Sequence, residues 1–295
     1  TMKVIRAKEM GMCFGVIDAL QVADAICDPT QVTIHGELVH NPTVTRRLGE
    51  AGFQRSPEDH RSSASRTPLV LITAHGVSNA ERQRLKAADK EVIDTTCPLV
   101  RRAHEAALEL QAEGRHVLLV GKPGHVEVRG IVDDLESYDV IGDANEVRRY
   151  ENRRLGIVCQ TTVPPKVVAD VCARISLQNP VADARFIDTV CQPTKLRQRA
   201  LLDLVPRVNA VVVVGGRNSN NTRRLVQLCH EHRTPALHVE SSDDLDPEWF
   251  VDVDTVGLTA GTSTLDETIN EVHRALEQIV TNRRHGRSGE RASVA

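Results

Sequence analysis

Val92-Ile93-Asp94-Thr95-Thr96-Cys97 and Phe186-Ile187-Asp188-Thr189-Val190-Cys191 are two versions of one pattern, a short apolar run followed by Asp-Thr-x-Cys. What comes next repeats as well. A helical stretch follows each cysteine, 99–113 after Cys97 and 194–205 after Cys191. Each leads to an apolar run ending in glycine, His116-Val117-Leu118-Leu119-Val120-Gly121 in one copy and Ala210-Val211-Val212-Val213-Val214-Gly215 in the other. Cysteine and glycine stand 24 residues apart both times. A repeat of this kind fixes an architecture before any single motif is named.

The N-terminus carries a third, less obvious copy. A strand at 3–6 precedes Cys13, a helical stretch covers 16–26, and Val32-Thr33-Ile34-His35-Gly36 ends 23 residues past the cysteine. Four residues beyond the three glycines stand His40, His125 and Ser219. A further apolar run in each copy ends at His75, Thr161 or Ser263. Each copy thus supplies one cysteine and two polar groups, all just after strands. Ligands of open parallel α/β sheets bind beyond the carboxyl ends of the strands. The expected fold is α/β, with three similar lobes of parallel sheet in pseudo-threefold arrangement, aiming these positions at one central cavity. Lobe boundaries by the repeat fall at 14–97, 98–191 and 192–281. The N-terminal strand 2–12 is expected to complete the third lobe, as runs 91–94 and 185–188 close the other two. Residues 282–295 lack apolar content and read as a disordered tail, and the polar stretch 55–67 reads as a surface loop.

Composition agrees with a globular α/β chain of 295 residues. Hydrophobic residues make up 40% but aromatic ones only 2%, so the core must come from Val, Leu, Ile and Ala, as in strands covered on both faces. A net charge of −3 gives no electrostatic case for nucleic acid or membrane surface. No run of ~18 apolar residues marks a spanning helix, and no signal-peptide pattern opens the chain. A cytoplasmic protein is expected. Seven cysteines without any C-x-x-C pair argue against a disulfide framework. Cys27 and Cys172, inside amphipathic helical stretches, read as small packing residues.

Three thiols brought together from separate lobes make a soft metal site. Structural zinc favours four ligands at short spacing, whereas Cys13, Cys97 and Cys191 are far apart in sequence. From the residues alone an iron–sulfur cluster, mononuclear zinc and plain buried thiols all stay open. A cubane normally takes four thiolates, so three would leave one iron available as a Lewis acid. His40, His75 and His125 offer donors and, when protonated, positive charge. Asn218-Ser219-Asn220-Asn221 follows a strand and opens a helix, as an anion site would, with Thr161 and Ser263 as neutral donors. The set suits a phosphate or diphosphate, although any one of these residues alone could be a helix cap. Glu127, beside His125, would serve as a proton donor if its pocket were dry enough to raise its pKa.

At these positions the chain closely resembles the LytB-type family of 4-hydroxy-3-methylbut-2-enyl diphosphate reductases, last enzymes of the methylerythritol phosphate route to isoprenoids. The match runs from about residue 3 to 281. It is carried by Cys13-Phe14-Gly15-Val16, Val39-His40-Asn41-Pro42, Ala74-His75-Gly76-Val77-Ser78, Asp94-Thr95-Thr96-Cys97-Pro98-Leu99-Val100, Gly124-His125-Val126-Glu127, Gln160-Thr161-Thr162, Asn218-Ser219-Asn220-Asn221 and Thr259-Ala260-Gly261-Thr262-Ser263. The resemblance implies a 4Fe–4S cluster on Cys13, Cys97 and Cys191 with one open iron, degrading to a 3Fe–4S form. It implies a diphosphate held at His40, His75, His125, Ser219, Asn220, Asn221 and Ser263, with Glu127 relaying protons and Thr161 near the substrate hydroxyl. Val126 stands where the family usually has Pro, Asn220 where many members have Ser, and Pro193 where a small residue is usual; none removes a required group. No flavin or nicotinamide fingerprint is present, so an external electron donor such as a ferredoxin or flavodoxin is implied. A zinc-dependent hydrolase using Glu127 as base lacks H-E-x-x-H. A non-catalytic iron–sulfur redox sensor leaves the His, Ser and Asn positions without a purpose.

Overall fold

The computed structural model describes residues 2–57 and 65–292, with side chains described as far as Ile279. Its chain divides into two compact units, Phe14–Thr194 and a second made of Thr1–Cys13 with Lys195–Ala295. Among the described residues, twelve strands form three four-stranded sheets, and every strand pairing is parallel.

The unit Phe14–Thr194 holds two of the sheets. In one, β2 (Val32–Ile34), β3 (Gln54–Arg55), β4 (Leu69–Ile72) and β5 (Glu91–Asp94) lie in the order β3-β2-β4-β5. In the other, β6 (His116–Val120), β7 (Tyr138–Ile141), β8 (Arg154–Cys159) and β9 (Asp183–Phe186) lie as β7-β6-β8-β9. The second sheet shows why valine and leucine runs are needed. Leu118 and Val120 join a core with Val168, Val171 and Ile175 of α6 (Pro165–Gln178) on one face. Val117 and Leu119 join Ala103, Ala107 and Leu110 of α4 (Pro98–Ala112) and Ile131 of α5 (Val126–Val132) on the other. Burial on both faces by helices is what selects continuous apolar strands over alternating ones. In α4, Pro98 starts the helix, and Val100, Ala103, Ala107 and Leu110 recur at the three-to-four-residue spacing of one face.

The second unit repeats the order with a cyclic shift. Strands β10 (Ala210–Val214), β11 (Ala236–Val239) and β12 (Thr255–Ala260) are joined by β1 (Lys3–Arg6), giving β11-β10-β12-β1. The N-terminal strand therefore occupies the place that β5 and β9 hold in their sheets, with Lys3 to Arg6 in register with Thr255 to Leu258. Val212, Val214, Leu258 and Ala260 pack on Ile269, Val272 and Leu276 of α9 (Asp266–Ala292). Val211 and Val213 pack with Leu201 of α7 (Gln192–Leu204) and with Leu225 and Leu228 of α8 (Asn220–Glu231).

The helical backbone of α9 runs on to Ala292, past residue 281 where a tail was expected to begin. Propagating a helix from a packed first half needs no further apolar face; residues 293–295 lie outside the described residues. Of the stretch 55–67, residues 58–64 also lie outside them. Cys27 is exposed and lies beyond α1 (Phe14–Asp24), which ends too early to bury it, contrary to its reading as a packing residue. Among the described residues no helix is long and apolar enough to cross a membrane.

Candidate active site

In each sheet the chain leaves its first strand toward one side and later returns on the other, so the reversal lies between β2 and β4, β6 and β8, or β10 and β12. Loops at the carboxyl side of such a reversal open a crevice. His40 and His75 follow β2 and β4, His125 and Thr161 follow β6 and β8, and Ser219 and Ser263 follow β10 and β12. The cysteines follow the fourth strand of each sheet, Cys13 after β1, Cys97 after β5 and Cys191 after β9.

Each cysteine is tied back to the polar loop of its own sheet by one backbone bond. The N–H of Cys97 donates to Ala74 O at 3.1 Å, that of Cys191 to Thr161 O at 2.9 Å, and that of Cys13 to Thr262 O at 3.1 Å. The Asp-Thr pairs explain themselves here. Thr95 Oγ1 donates to Ile72 O at 2.6 Å and Thr189 Oγ1 to Cys159 O at 2.6 Å, linking the fourth strand to the third past the end of the ladder. Asp94 accepts the Thr96 N–H at 2.9 Å, and Asp188 accepts the Val190 N–H at 3.1 Å, turning the chain just before the cysteine. Burial pushes the Asp94 carboxyl up, but the Thr96 bonds and the Arg82 and Arg101 guanidiniums more than offset it and hold it below its ordinary value. Cys13 lacks such a motif. Instead, Arg197 of α7, a buried guanidinium, donates to Gly11 O at 2.9 and 2.7 Å and to Met12 O at 2.9 Å. Residue types alone did not reveal the role of Arg197, because its bonds run between segments distant in sequence.

Cys13, Cys97 and Cys191 are all partly exposed, whereas Cys159 and Cys229 are buried and burial pushes the Cys229 thiol up to about 12. Thiols of the first kind are the ones a metal can reach. Around Cys97 the packing is specific. A Cβ on Gly15 in α1 would lie 2.5 Å from Cys97 Sγ, so only glycine leaves that sulfur its place.

His40, His75 and His125 of the unit Phe14–Thr194 come together. His40 stacks on His75 with ring centroids 4.3 Å apart, and His125 meets both edge-on at 5.6 and 5.8 Å. His125 also caps α5, its Nδ1 accepting the Glu127 N–H at 3.2 Å, which leaves the ring proton on Nε2. Glu127 is 2% exposed. Its Oε1 accepts the Thr161 N–H at 2.6 Å and its Oε2 the Thr161 hydroxyl at 2.9 Å. Burial dominates those two bonds and raises the carboxyl to about 7.

In the other unit Ser219 caps α8 by accepting the Thr222 N–H at 3.3 Å. Asn220 opens the helix. Asn221 is buried and accepts the Thr262 N–H on Oδ1 at 3.1 Å, but its amide Nδ2 has no partner among the described residues. Ser263 is buried on the loop after β12. A buried donor left without a partner costs roughly 1–3 kcal/mol, and it marks where a ligand acceptor would be welcome.

With that geometry in place, comparison with known proteins is direct. The family model described as LytB protein matches residues 4–277. This chain belongs to the LytB family. A LytB relative from Aquifex aeolicus, named 4-hydroxy-3-methylbut-2-enyl diphosphate reductase, is 34% identical over 94% of this chain and 96% of its own. One of the same name from Trichlorobacter lovleyi is 36% identical over 94% and 99%. Among solved structures, the E-1-hydroxy-2-methyl-but-2-enyl-4-diphosphate reductase of Plasmodium falciparum superposes with a TM-score of 0.84 at 24% identity, covering 92% of this chain and 87% of that one, and shows the shared LytB fold. A second, titled (E)-4-hydroxy-3-methyl-but-2-enyl diphosphate reductase, the terminal enzyme of the non-mevalonate pathway, gives 0.65 at 32% identity, covering 94% and 100%.

Proposed function

We propose that this LytB-family chain is a 4-hydroxy-3-methylbut-2-enyl diphosphate reductase. It removes the allylic hydroxyl as water, using two electrons and two protons, and yields isopentenyl and dimethylallyl diphosphate. The observation that carries the reading is the buried Glu127 carboxyl, held by Thr161 and raised to about 7. A departing hydroxyl needs a proton, and a neutral carboxyl near neutral pH supplies one.

The residues present fit an iron–sulfur group. Three partly exposed thiols follow equivalent strands, each with its backbone anchored, and Gly15 keeps the space beside Cys97 Sγ clear. Cluster ligands bind separate irons and need not share one ion. Bound to Cys13, Cys97 and Cys191, a 4Fe–4S cluster would supply electrons one at a time and an iron with an open position acting as a Lewis acid.

The chain's own groups do the rest. His125 Nε2–H, His40 and His75 form one donor set for the diphosphate, and Ser219, Asn220, Asn221 and Ser263 form another. The unpartnered Nδ2 of Asn221 gains an acceptor when the anion binds. In this reading Thr161, whose hydroxyl donates to Glu127, passes the proton between that carboxyl and the substrate hydroxyl. Electrons enter from a reduced one-electron carrier such as a ferredoxin or flavodoxin. The test is turnover of the hydroxylated diphosphate by anaerobically prepared protein with a reduced carrier. Formation of the two isomeric diphosphates supports the reading; iron-containing protein that yields neither overturns it.

A further inference from the structure

Glu37 was not singled out by any motif, yet it stands at the head of the histidine group. Its Oε2 lies 3.0 Å from His40 Nδ1, and its Oε1 lies 3.4 Å from an Arg55 amino group of β3. The carboxylate is 24% and the imidazole 15% exposed, so the pair is shielded but reachable. The rings of His75 and His125 also face His40.

A carboxylate can only accept, so the contact places a proton on His40 Nδ1. The consequence differs from that at His125. There Nδ1 is used up as an acceptor, and the neutral ring already presents Nε2–H. A neutral His40 with its proton on Nδ1 would instead present an Nε2 lone pair, which repels a phosphate oxygen. For His40 to donate to the diphosphate it must carry both protons, and the resulting cation is what the neighbouring carboxylate favours. Arg55, in turn, holds the second carboxylate oxygen and fixes the direction of Glu37. We infer that Glu37 is a positioning residue that sets His40 as a doubly protonated diphosphate donor, through the arrangement Arg55–Glu37–His40. The inference rests on the proposed function for the identity of the substrate, but its chemistry requires only a phosphate group.

Glu37→Gln holoenzyme tests it. Without the carboxylate, KM for the substrate rises about tenfold, the size expected for one charge-assisted hydrogen bond, while kcat stays within about twofold because the contact is the same before and during reaction. Arg55→Gln, which keeps the carboxylate and loosens only its direction, raises KM by clearly less than Glu37→Gln does. Independently of turnover, histidine-15N spectra with inorganic pyrophosphate bound show both ring nitrogens of His40 protonated in the parent, and one unprotonated in Glu37→Gln. The His40 signal is assigned from its loss in His40→Gln. Unchanged KM, or an identical His40 signature in parent and variant, overturns the inference. So does an equal rise in KM in Arg55→Gln, which would mark a role in loop folding alone. A parent that binds pyrophosphate with the expected His40 signature but does not turn over the allylic substrate leaves this inference standing and removes the proposed function.

Discussion

Glu127 and Thr161 show how a single side chain acquires chemistry from its surroundings. The carboxyl starts from an ordinary value of 4.5 and is raised by burial to about 7, with the two Thr161 bonds opposing the rise. Below about pH 7 the group is protonated and can donate; above it, the proton is gone. Turnover limited by this acid therefore falls as pH rises through about 7. Glu127→Gln removes that limb and lowers kcat roughly 10²- to 10⁴-fold, as expected for loss of a general acid. Stability follows the same sign. A raised carboxyl stabilises the folded state fully below about 4.5, and that contribution is lost as pH rises through about 7. The stability difference between parent and Glu127→Gln, measured by urea unfolding, shrinks in the parent's disfavour across that window; a pH-independent difference would contradict the burial account.

Elements place these residues, and their bonds run across the strand ends. Thr189 both donates to Cys159 O at 2.6 Å and accepts the Cys159 N–H at 2.8 Å, so Thr189→Val removes two buried hydrogen bonds at once. It should cost about 2–6 kcal/mol in unfolding experiments, each lost buried bond contributing roughly 1–3. Gly15→Ala tests the α1 contact differently. The new Cβ would fall 2.5 Å from Cys97 Sγ, so the variant should keep its circular dichroism yet bind far less iron on anaerobic reconstitution. Equal iron in parent and variant would show that the glycine serves packing alone. At this scale the sequence was legible where it repeated. The Asp-Thr-x-Cys pattern marked the ends of β5 and β9, and the glycine spacing those of β2, β6 and β10. It was silent on Arg197 bonding to Gly11 and Met12, since a side chain's partner across a fold leaves no local period, and on Glu37, which is only three residues from His40 but occupies no repeated position. Cys27 misled because an apolar helical pattern continued two residues beyond where α1 stops.

Across the whole molecule, three sheets share one strand order, and the third completes it with the N-terminal strand β1. That topology explains how a chain can carry three cysteines some ninety residues apart in sequence, each at the same station of its sheet. What the repeat could not decide was the metal, because three soft ligands suit more than one; membership of the LytB family narrows it. If the stations are equivalent, Cys13→Ser, Cys97→Ser and Cys191→Ser should each abolish cluster retention to a similar degree, whereas Cys229→Ser, at a buried thiol away from the strand ends, should retain it. The central claim, a substrate-reactive iron–sulfur centre on those three thiols, is tested most directly by Mössbauer spectroscopy of anaerobically prepared protein with and without the allylic diphosphate. The account predicts iron with an equal amount of acid-labile sulfide and a change at one iron site when substrate is added. Stoichiometric zinc without iron, or iron signals that substrate leaves unchanged, would contradict it.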